Sequence, residues 1–174
     1  MSEPGDEYFS YLFSAGCDPD VIAHCRTVRD VAVGIADRIL AIGKRPVDRD
    51  LVAAGAVLHD IGRSVTHGMD HADAGAALCR ELGFPLAVCR IVERHIGAGL
   101  TGEERGELGL SREDRIPGTI EERIVAHADN LVRGTRITTR QDLEAGIGKF
   151  PPQVRARFIS LADELEDLAG SSLP

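Results

Sequence analysis

Apolar residues recur at intervals of three or four along almost the whole of this chain, which is the spacing of helices that bury one face. We find no convincing β-strand. The sequence therefore predicts an all-α fold, a bundle of about six to eight helices. The predicted helices span residues 19–42, 48–60, 70–82, 85–95, 119–133, 139–147 and 152–168, with one short helix expected inside the glycine-rich connection 97–118.

Local signals support the boundaries of these helices. Asp48 and Asp70 are predicted to cap the N-termini of the second and third helices, and Gly62 is predicted to end the second. This places His59 and Asp60 in the last turn of a helix that is apolar almost all round. A carboxylate there faces the negative end of the helix dipole, so it needs a compensating partner.

The length of 174 residues is typical of one domain with a substantial core. Apolar residues make up 43% of the composition and charged residues 28%, and no segment is of low complexity, so the chain should be ordered and globular. We find no internal repeat and no linker, and we therefore predict a single domain over residues 1–174.

The last predicted helix carries an apolar stripe. The stripe predicts a helix packed on the core, and the face of a homodimer is the alternative. Its members are Val154, Phe158, Leu161, Leu165 and Leu168.

The overall charge and the small number of aromatic residues exclude some partners. A formal net charge of −8 argues against a long interface with a nucleic-acid backbone. Aromatic residues are 4% of the chain and Trp is absent, which leaves few side chains to stack on single-stranded bases. The composition therefore argues against a nucleic-acid partner and is compatible with a small anionic substrate held by local arginines.

Signals for export, membrane insertion and redox chemistry are missing from the sequence. The first ten residues are acidic and polar, unlike a secretory signal, and no segment has the roughly 20 apolar residues of a membrane span. We therefore expect a cytoplasmic protein without a membrane partner. Cys17, Cys25, Cys79 and Cys89 form no C-x-x-C pair and are expected to pack as small apolar side chains.

Histidines occupy the apolar faces of three predicted helices. An imidazole buried without partners costs about 1–3 kcal/mol for each unsatisfied group. Any one of them would ordinarily be a core histidine bonded to a backbone carbonyl, but three such faces beside the His59-Asp60 pair favour a shared site. The faces are His24 with Val28, Val31 and Ile35; His71 with Ala74, Leu78 and Leu82; and His95 with Val88, Ile91 and Val92.

Two carboxylates accompany these histidines. One is Asp60, and the other is Asp129, at the edge of an apolar stripe that includes Val125 and Val132. A buried anion needs a cation, and no Lys or Arg has obvious helical register with either carboxylate, so a bound metal ion would supply the charge. His127 flanks the same stripe and is predicted to support the structure around the site, with a ligand role as the alternative.

Four residues, in their order along the chain, resemble the H…HD…D signature of the HD superfamily of metal-dependent phosphohydrolases. They are His24, the doublet His59-Asp60 inside the letters HDIG, and Asp129. The resemblance covers about residues 20–135 and implies an all-helical HD-domain bundle in which these four residues ligate a divalent metal. The whole chain is also similar to a small group of uncharacterised archaeal proteins of HD type, a likeness that implies no substrate.

Two more residues are similar to ligands found in dinuclear members of this superfamily. His71 opens the letters HADAGA, and His95 falls where those members carry a further ligand. The resemblance therefore implies two ions bridged by Asp60. The helices over residues 139–168 are expected to pack on the HD core, and they inherit no function from the motif.

The implied ligands are imidazoles and carboxylates, which suit Mn, Fe, Co, Ni or Zn better than Mg or Ca. Such a divalent transition metal, most simply as two ions, would activate water for attack on phosphorus. The leading prediction is an enzyme that hydrolyses a phosphomonoester or phosphodiester of a small molecule, for which a nucleotide is one candidate. The alternatives are a di-iron oxygenase of HD type and a non-catalytic, metal-stabilised regulatory domain.

Three residues near the motif are candidates for binding the substrate. Arg63 is predicted to bind a substrate phosphate and to act with Asp60 in catalysis, because its planar guanidinium fits phosphate oxygens in pairs, with a solvated surface residue as the alternative. His67 is predicted to contact the substrate or to support the site, with an ordinary loop residue as the alternative. Arg94 is a weaker candidate, because its helical position points it away from the face of His95.

Overall fold

A computed structural model describes residues 3–173, which form a helical bundle with one short β-hairpin. This confirms the predicted all-α class. The nine α-helices of the described residues are α1 (Phe9–Ala15), α2 (Pro19–Ile42), α3 (Arg49–Leu58), α4 (His71–Glu81), α5 (Leu86–Arg94), α6 (Gly102–Glu107), α7 (Ile120–Asn130), α8 (Arg140–Ile147) and α9 (Pro152–Ala169). Single 3₁₀ turns lie at Asp6–Tyr8 and Ile61–Ser64, and the hairpin strands are β1 (Val132–Arg133) and β2 (Arg136–Ile137).

Several helix ends follow from the capping residues. The Asp48 carboxylate accepts a hydrogen bond from the backbone N–H of Leu51 at 2.9 Å, which satisfies one of the free donors at the start of α3. Gly43 ends α2 in the left-handed region, with φ 74°. Asp70 precedes α4 as predicted, but its carboxylate makes no capping bond to the helix.

Two elements were not predicted from the sequence. Helix α1 has only seven residues, and it buries Phe9 and Leu12 against the bundle. The hairpin strands have two residues each, and Val132 pairs with Ile137 in antiparallel register. Both elements are too short for a period of apolar residues to be recognised. The hairpin also ends α7 at Asn130, earlier than the predicted end near residue 133.

Helix α2 runs through the core and packs against α3, α7 and α9. The apolar stripe of α9 faces this core, where Phe158, Leu161 and Leu165 are buried and Val154 and Leu168 are partly buried. The alternative interpretation of the stripe as a dimer face is therefore wrong, because these side chains are covered within the chain. No helix of residues 3–173 combines the length and apolarity that a membrane crossing requires.

The segment after α3 differs from the prediction. Helix α3 ends at Leu58 with His59 as its C-cap, so Asp60 precedes the 3₁₀ turn Ile61–Ser64 rather than ending an α-helix. Gly62 lies inside this turn and does not end a helix as predicted. A Cβ atom at Gly62 would overlap the carbonyl oxygen of His71, so glycine is needed for close contact between the turn and the start of α4.

Helix α4 buries a different face from the one predicted. The sequence predicts Leu82 in the apolar stripe of His71, but Leu82 follows the last turn of α4 and is 45% exposed. The small residues of α4 face the core instead, because the close approach of Gly62 and α5 leaves little space there. The buried residues of α4 are His71, Ala72, Gly75, Ala76 and Cys79.

All four cysteines are buried and free, as the sequence predicts. Burial raises the pKa of the Cys17 thiol to about 11 and that of Cys79 to about 12. The thiol of Cys89 is shifted in the same direction, again mainly by burial. These side chains behave as small apolar groups.

Candidate metal centre

Six side chains that are distant in the sequence converge at one end of the bundle. His24 comes from α2, His71 begins α4, and Asp129 lies in the last turn of α7. The His59-Asp60 doublet follows α3, and His95 is the C-cap of α5. The structure thus brings together all six residues that were predicted as metal ligands.

Three of these side chains form one group of possible ligand atoms. His24 Nε2 lies 2.9 Å from Asp129 Oδ1, and His59 Nε2 lies 3.5 Å from the same oxygen. Potential ligand atoms of His24, His59 and Asp129 all lie within 4.8 Å of one another. We call this set the outer group, because His24 and Asp129 are its partly exposed members.

A second group lies deeper in the bundle. His71 Nε2 and His95 Nε2 are 3.1 Å apart, and they lie 3.2 Å and 3.5 Å from Asp60 Oδ1. The other carboxylate oxygen, Asp60 Oδ2, lies 3.7 Å from His59 Nε2 and 4.0 Å from His24 Nε2. We call His71, His95 and Asp60 the inner group, and its Asp60 carboxylate also faces the outer group. His59 connects the two groups, because its potential ligand atom lies within 4.8 Å of those of Asp60 and His95.

The four histidines point the same ring nitrogen at the centre. Each Nδ1 atom lies 2.7–2.8 Å from a backbone carbonyl oxygen, which can only accept a hydrogen bond, so Nδ1 carries a proton. This leaves Nε2 directed at the centre, as metal-binding histidines require. The carbonyls belong to Gly134 for His24, Ala56 for His59, Gly68 for His71 and Val92 for His95.

The donor set fits a cation. His59 Nε2 and Asp60 Oδ1 are buried and have no hydrogen-bond partner among the described residues, an arrangement that costs free energy unless another group satisfies them. The Nε2 atoms of His71 and His95 also lie only 3.1 Å apart. A divalent transition metal would satisfy these atoms together, and imidazole and carboxylate are ligands that such metals accept.

Electrostatics favour anionic carboxylates in this cluster. Burial alone would raise the pKa of Asp60, but its interactions with His59 and with the two imidazoles of the inner group outweigh burial and hold that pKa well below its usual range. Burial likewise opposes ionisation of Asp129, and its contacts with His24 and His59 lower its pKa. Burial lowers the pKa of His95, which keeps that imidazole neutral and able to ligate.

Arg63 pairs with one of these carboxylates. Its Nε donates to Asp60 Oδ2 at 2.8 Å, so the prediction that no Lys or Arg is in register with Asp60 is wrong. The helical register used for that prediction does not apply beyond Leu58, where a 3₁₀ turn brings residue 63 back toward residue 60. About 30% of the Arg63 side chain is exposed, so its guanidinium is accessible to solvent beside Asp60.

Other residues considered from the sequence lie apart from both groups. His67 is 67% exposed, with its Nε2 atom 3.8 Å from an Asp18 carboxylate oxygen. Arg94 donates to Glu122 at 3.0 Å, away from His95 as predicted. His127 is buried in α7, and burial is the main cause that lowers its pKa to about 4. Among the described residues, His127 is not a member of any cluster of possible metal ligands.

One hydrogen bond that orients a histidine of the outer group was not predicted from the sequence. The Gly134 carbonyl that accepts from His24 belongs to the β-hairpin, and the two residues are 110 positions apart. The letters VRGTRI carry a Gly-X pair between two short extended segments, which is a hairpin signal. The position of that hairpin over His24 depends on tertiary packing and has no local signature.

Comparison with known proteins agrees with this arrangement. The sequence model of the family described as HD domain matches residues 21–134, well over half of the chain. This chain belongs to the HD domain family. The matched segment of the HD domain includes all six residues of the two groups.

Two relatives show how this HD domain occurs elsewhere. An uncharacterised protein of Methanocaldococcus jannaschii is 47% identical over 156 residues, which cover 87% of this chain and 91% of that protein. A tRNA (cytidine(56)-2′-O)-methyltransferase of Picrophilus torridus is 44% identical over 97% of this chain. The match covers 48% of the methyltransferase, so this chain spans about half the length of that relative.

Solved structures share the same fold. The HD domain of the Listeria monocytogenes phosphodiesterase PgpH, in complex with cyclic-di-AMP, superposes with a TM-score of 0.59. The superposition covers 97% of this chain and 99% of the other, at 17% sequence identity. At this identity the likeness establishes a common HD fold.

Proposed function

We propose that this protein is a metal-dependent phosphohydrolase that cleaves a phosphate ester of a small molecule. The observation that carries the proposal is the position of Asp60, whose two oxygens face different histidine groups at 3.2–4.0 Å. In this position Asp60 would help to hold an ion at each group, as acidic side chains do in two-metal hydrolytic sites. Membership of the HD family, which includes metal-dependent phosphohydrolases, supports the same reaction class.

In this proposal the chain provides ligands, orientation and a binding site for phosphate. Bound divalent ions would supply Lewis acidity toward a phosphoryl oxygen and lower the pKa of water. The backbone carbonyls hold each imidazole with Nε2 toward the centre, so little reorientation is needed on loading. Asp60 and Asp129 stay ionised and provide the negative charge that holds the ions.

The substrate that we propose is small and phosphorylated, and a nucleotide is our first choice. The net charge of −8 would repel an extended polyanion, whereas a single phosphate needs only a local cation. The similar PgpH domain is described with cyclic-di-AMP, which favours nucleotide esters as the first class to assay. Methyl transfer is not proposed, because the segment shared with the Picrophilus torridus enzyme carries the HD domain and spans about half of that enzyme.

The proposal is tested by loading the purified chain with Mn²⁺, Fe²⁺, Co²⁺, Ni²⁺ or Zn²⁺ and assaying phosphomonoesters, phosphodiesters and nucleotides. We expect phosphate-ester cleavage that requires metal and continues under strict anaerobiosis with Mn²⁺ or Ni²⁺. Oxygen uptake coupled to substrate loss, without ester cleavage, would show an iron oxygenase instead. Metal binding without turnover on any ester would favour the regulatory alternative.

Replacement of Arg63 by alanine is expected to raise KM for a phosphate ester by about tenfold and to change kcat less, as expected for loss of uniform binding. The guanidinium uses Nε for Asp60, and no hydrogen bond to residues 3–173 engages its two Nη groups, which leaves them available to phosphate. Steady-state kinetics at saturating metal measure both constants. Arg90→Ala removes the same charge from an exposed position on α5 and serves as the control.

An unchanged KM in Arg63→Ala, or an equal increase in Arg90→Ala, would contradict a direct phosphate contact. Arg63→Lys separates charge from shape, because lysine keeps the charge but lacks the planar fork. We expect KM of the lysine variant to lie between those of the wild type and the alanine variant.

A further inference from the structure

The hydrogen bonds that orient the four histidines are of two kinds. Three Nδ1 atoms donate to a carbonyl three residues earlier in the chain, at Ala56, Gly68 and Val92. These contacts are local and form when the helix or turn forms. His24 alone among the four depends on a distant carbonyl, that of Gly134.

The Gly134 carbonyl stands at the tip of an exposed hairpin. Gly134 and Thr135 form the two-residue loop between β1 and β2, and both are exposed. Gly134 has φ 62°. Thr135 has negative φ, because no residue other than glycine in the described chain has positive φ. Positive φ at only the first loop residue is the pattern of a type II′ turn, which commonly has glycine at that position.

The type of this turn determines where the Gly134 carbonyl points. Types II′ and I′ both close a two-residue hairpin, but they differ by about 150–170° in the two dihedral angles that flank the central peptide. The central peptide is therefore turned over between them. Its carbonyl oxygen faces His24 in the observed type II′ turn and would face away from His24 in a type I′ turn.

The same short segment also delivers an outer-group carboxylate. Asp129 lies just before the hairpin, and the base of the hairpin is closed by Thr138, whose N–H and hydroxyl donate to Leu131 O at 2.7 Å and 3.0 Å. Thr138 is buried, so the base is anchored while the tip stays exposed. Residues 129–138 thus carry both a carboxylate of the outer group and the acceptor that orients His24.

We propose that the hairpin Val132–Ile137 positions His24 for metal binding, so that the metal affinity of the outer group depends on the turn type at Gly134-Thr135. The inner group does not depend on it, because the Nδ1 bonds of His71 and His95 are local. Gly134 is a positioning residue that acts on His24 through its backbone carbonyl. This inference rests on the proposed metal centre.

The test is the double variant Gly134→Asn/Thr135→Gly, because Asn-Gly favours a type I′ turn in the same two-residue loop. A Cβ atom at Gly134 would meet no atom within 4 Å, so the substitution has space. Binding of Mn²⁺ to the full chain is measured by isothermal titration, and His24→Ala identifies the binding step of the outer group. Thr135→Ser, which keeps the Gly-X pattern, is the matched control.

In the double variant we expect the Mn²⁺ affinity of the outer group to fall by about 10–100-fold, the usual effect of losing a partner that orients a metal-bound histidine. This is the binding step that His24→Ala removes. The other binding step and the thermal midpoint of the metal-free chain should match those of Thr135→Ser. Unchanged Mn²⁺ affinity, or equal weakening of both steps, would overturn the inference and leave the proposed function standing. Absence of Mn²⁺ binding in the wild type would instead overturn the proposed function and this inference with it.

A second variant covers the case in which the double variant does not fold. Gly134→Ala adds only a methyl group in open space, but an L side chain disfavours the positive φ that the type II′ turn needs. We expect selective weakening of the same Mn²⁺ binding step. Wild-type affinity in a folded Gly134→Ala protein whose turn has changed would overturn the inference.

Discussion

Asp60→Asn is expected to reduce metal-dependent turnover by more than about 100-fold while leaving the helical content unchanged. The amide keeps the size of the side chain but removes the negative charge, and one of its two terminal atoms becomes a donor. Asp60 Oδ2 faces His59 and Asp60 Oδ1 faces His71, so the amide nitrogen would replace the oxygen that faces one of the two groups. The measurements are kcat/KM at saturating Mn²⁺, metal content, and far-ultraviolet circular dichroism.

A matched control separates the loss of this carboxylate from a general change of charge. Asp20→Asn makes the same substitution at an exposed position in the first turn of α2, and it should retain wild-type turnover and metal content. The proposed role of Asp60 is wrong if Asp60→Asn retains normal metal content and normal hydrolysis.

His95→Ala is expected to lower the metal content at saturation from about two ions per chain toward one, the count implied by a dinuclear centre. His95 belongs to the inner group, and its loss leaves only His71 and Asp60 there. The outer group keeps its three side chains and should still bind one ion. Elemental analysis after equilibration with Mn²⁺, Fe²⁺ or Ni²⁺ measures the content directly.

His67→Ala is the control for this count, because His67 is exposed and lies outside both groups. It should bind as much metal as the wild type. A wild-type chain that saturates with a single ion would contradict the two-ion assignment. His71 and His95 would then be better explained as groups that bind the phosphate of the substrate.

The helical scaffold and the six clustered residues were predictable because their signals are local. His24, His71 and His95 lie on buried faces or at the ends of amphipathic helices, and helical periodicity identifies such faces. The HD doublet, with His24 before it and Asp129 after it in the sequence, then indicates a family with a known helical bundle. These signals do not depend on how the helices are arranged in space.

Contacts outside the helical register were not predictable in this way. The Arg63–Asp60 pair depends on a 3₁₀ turn, in which residues three apart lie close together, whereas the sequence predicts that the helix ends near residue 60 and indicates no conformation for the residues after it. The close contact of Gly62 with α4 and the contact of Gly134 with His24 are long-range packing events. A local pattern predicts that a glycine or a hairpin is present, but not which distant group it meets.

The buried thiols make chemical labelling a probe of folding for this protein. A thiolate, not a thiol, reacts with alkylating reagents, and the pKa values of Cys17 and Cys79 near 11 and 12 keep both side chains protonated at neutral pH. Reaction therefore requires these side chains to become exposed. The rate at which native protein takes up such a reagent reports how often the helices around them separate, without an added fluorophore or an engineered site.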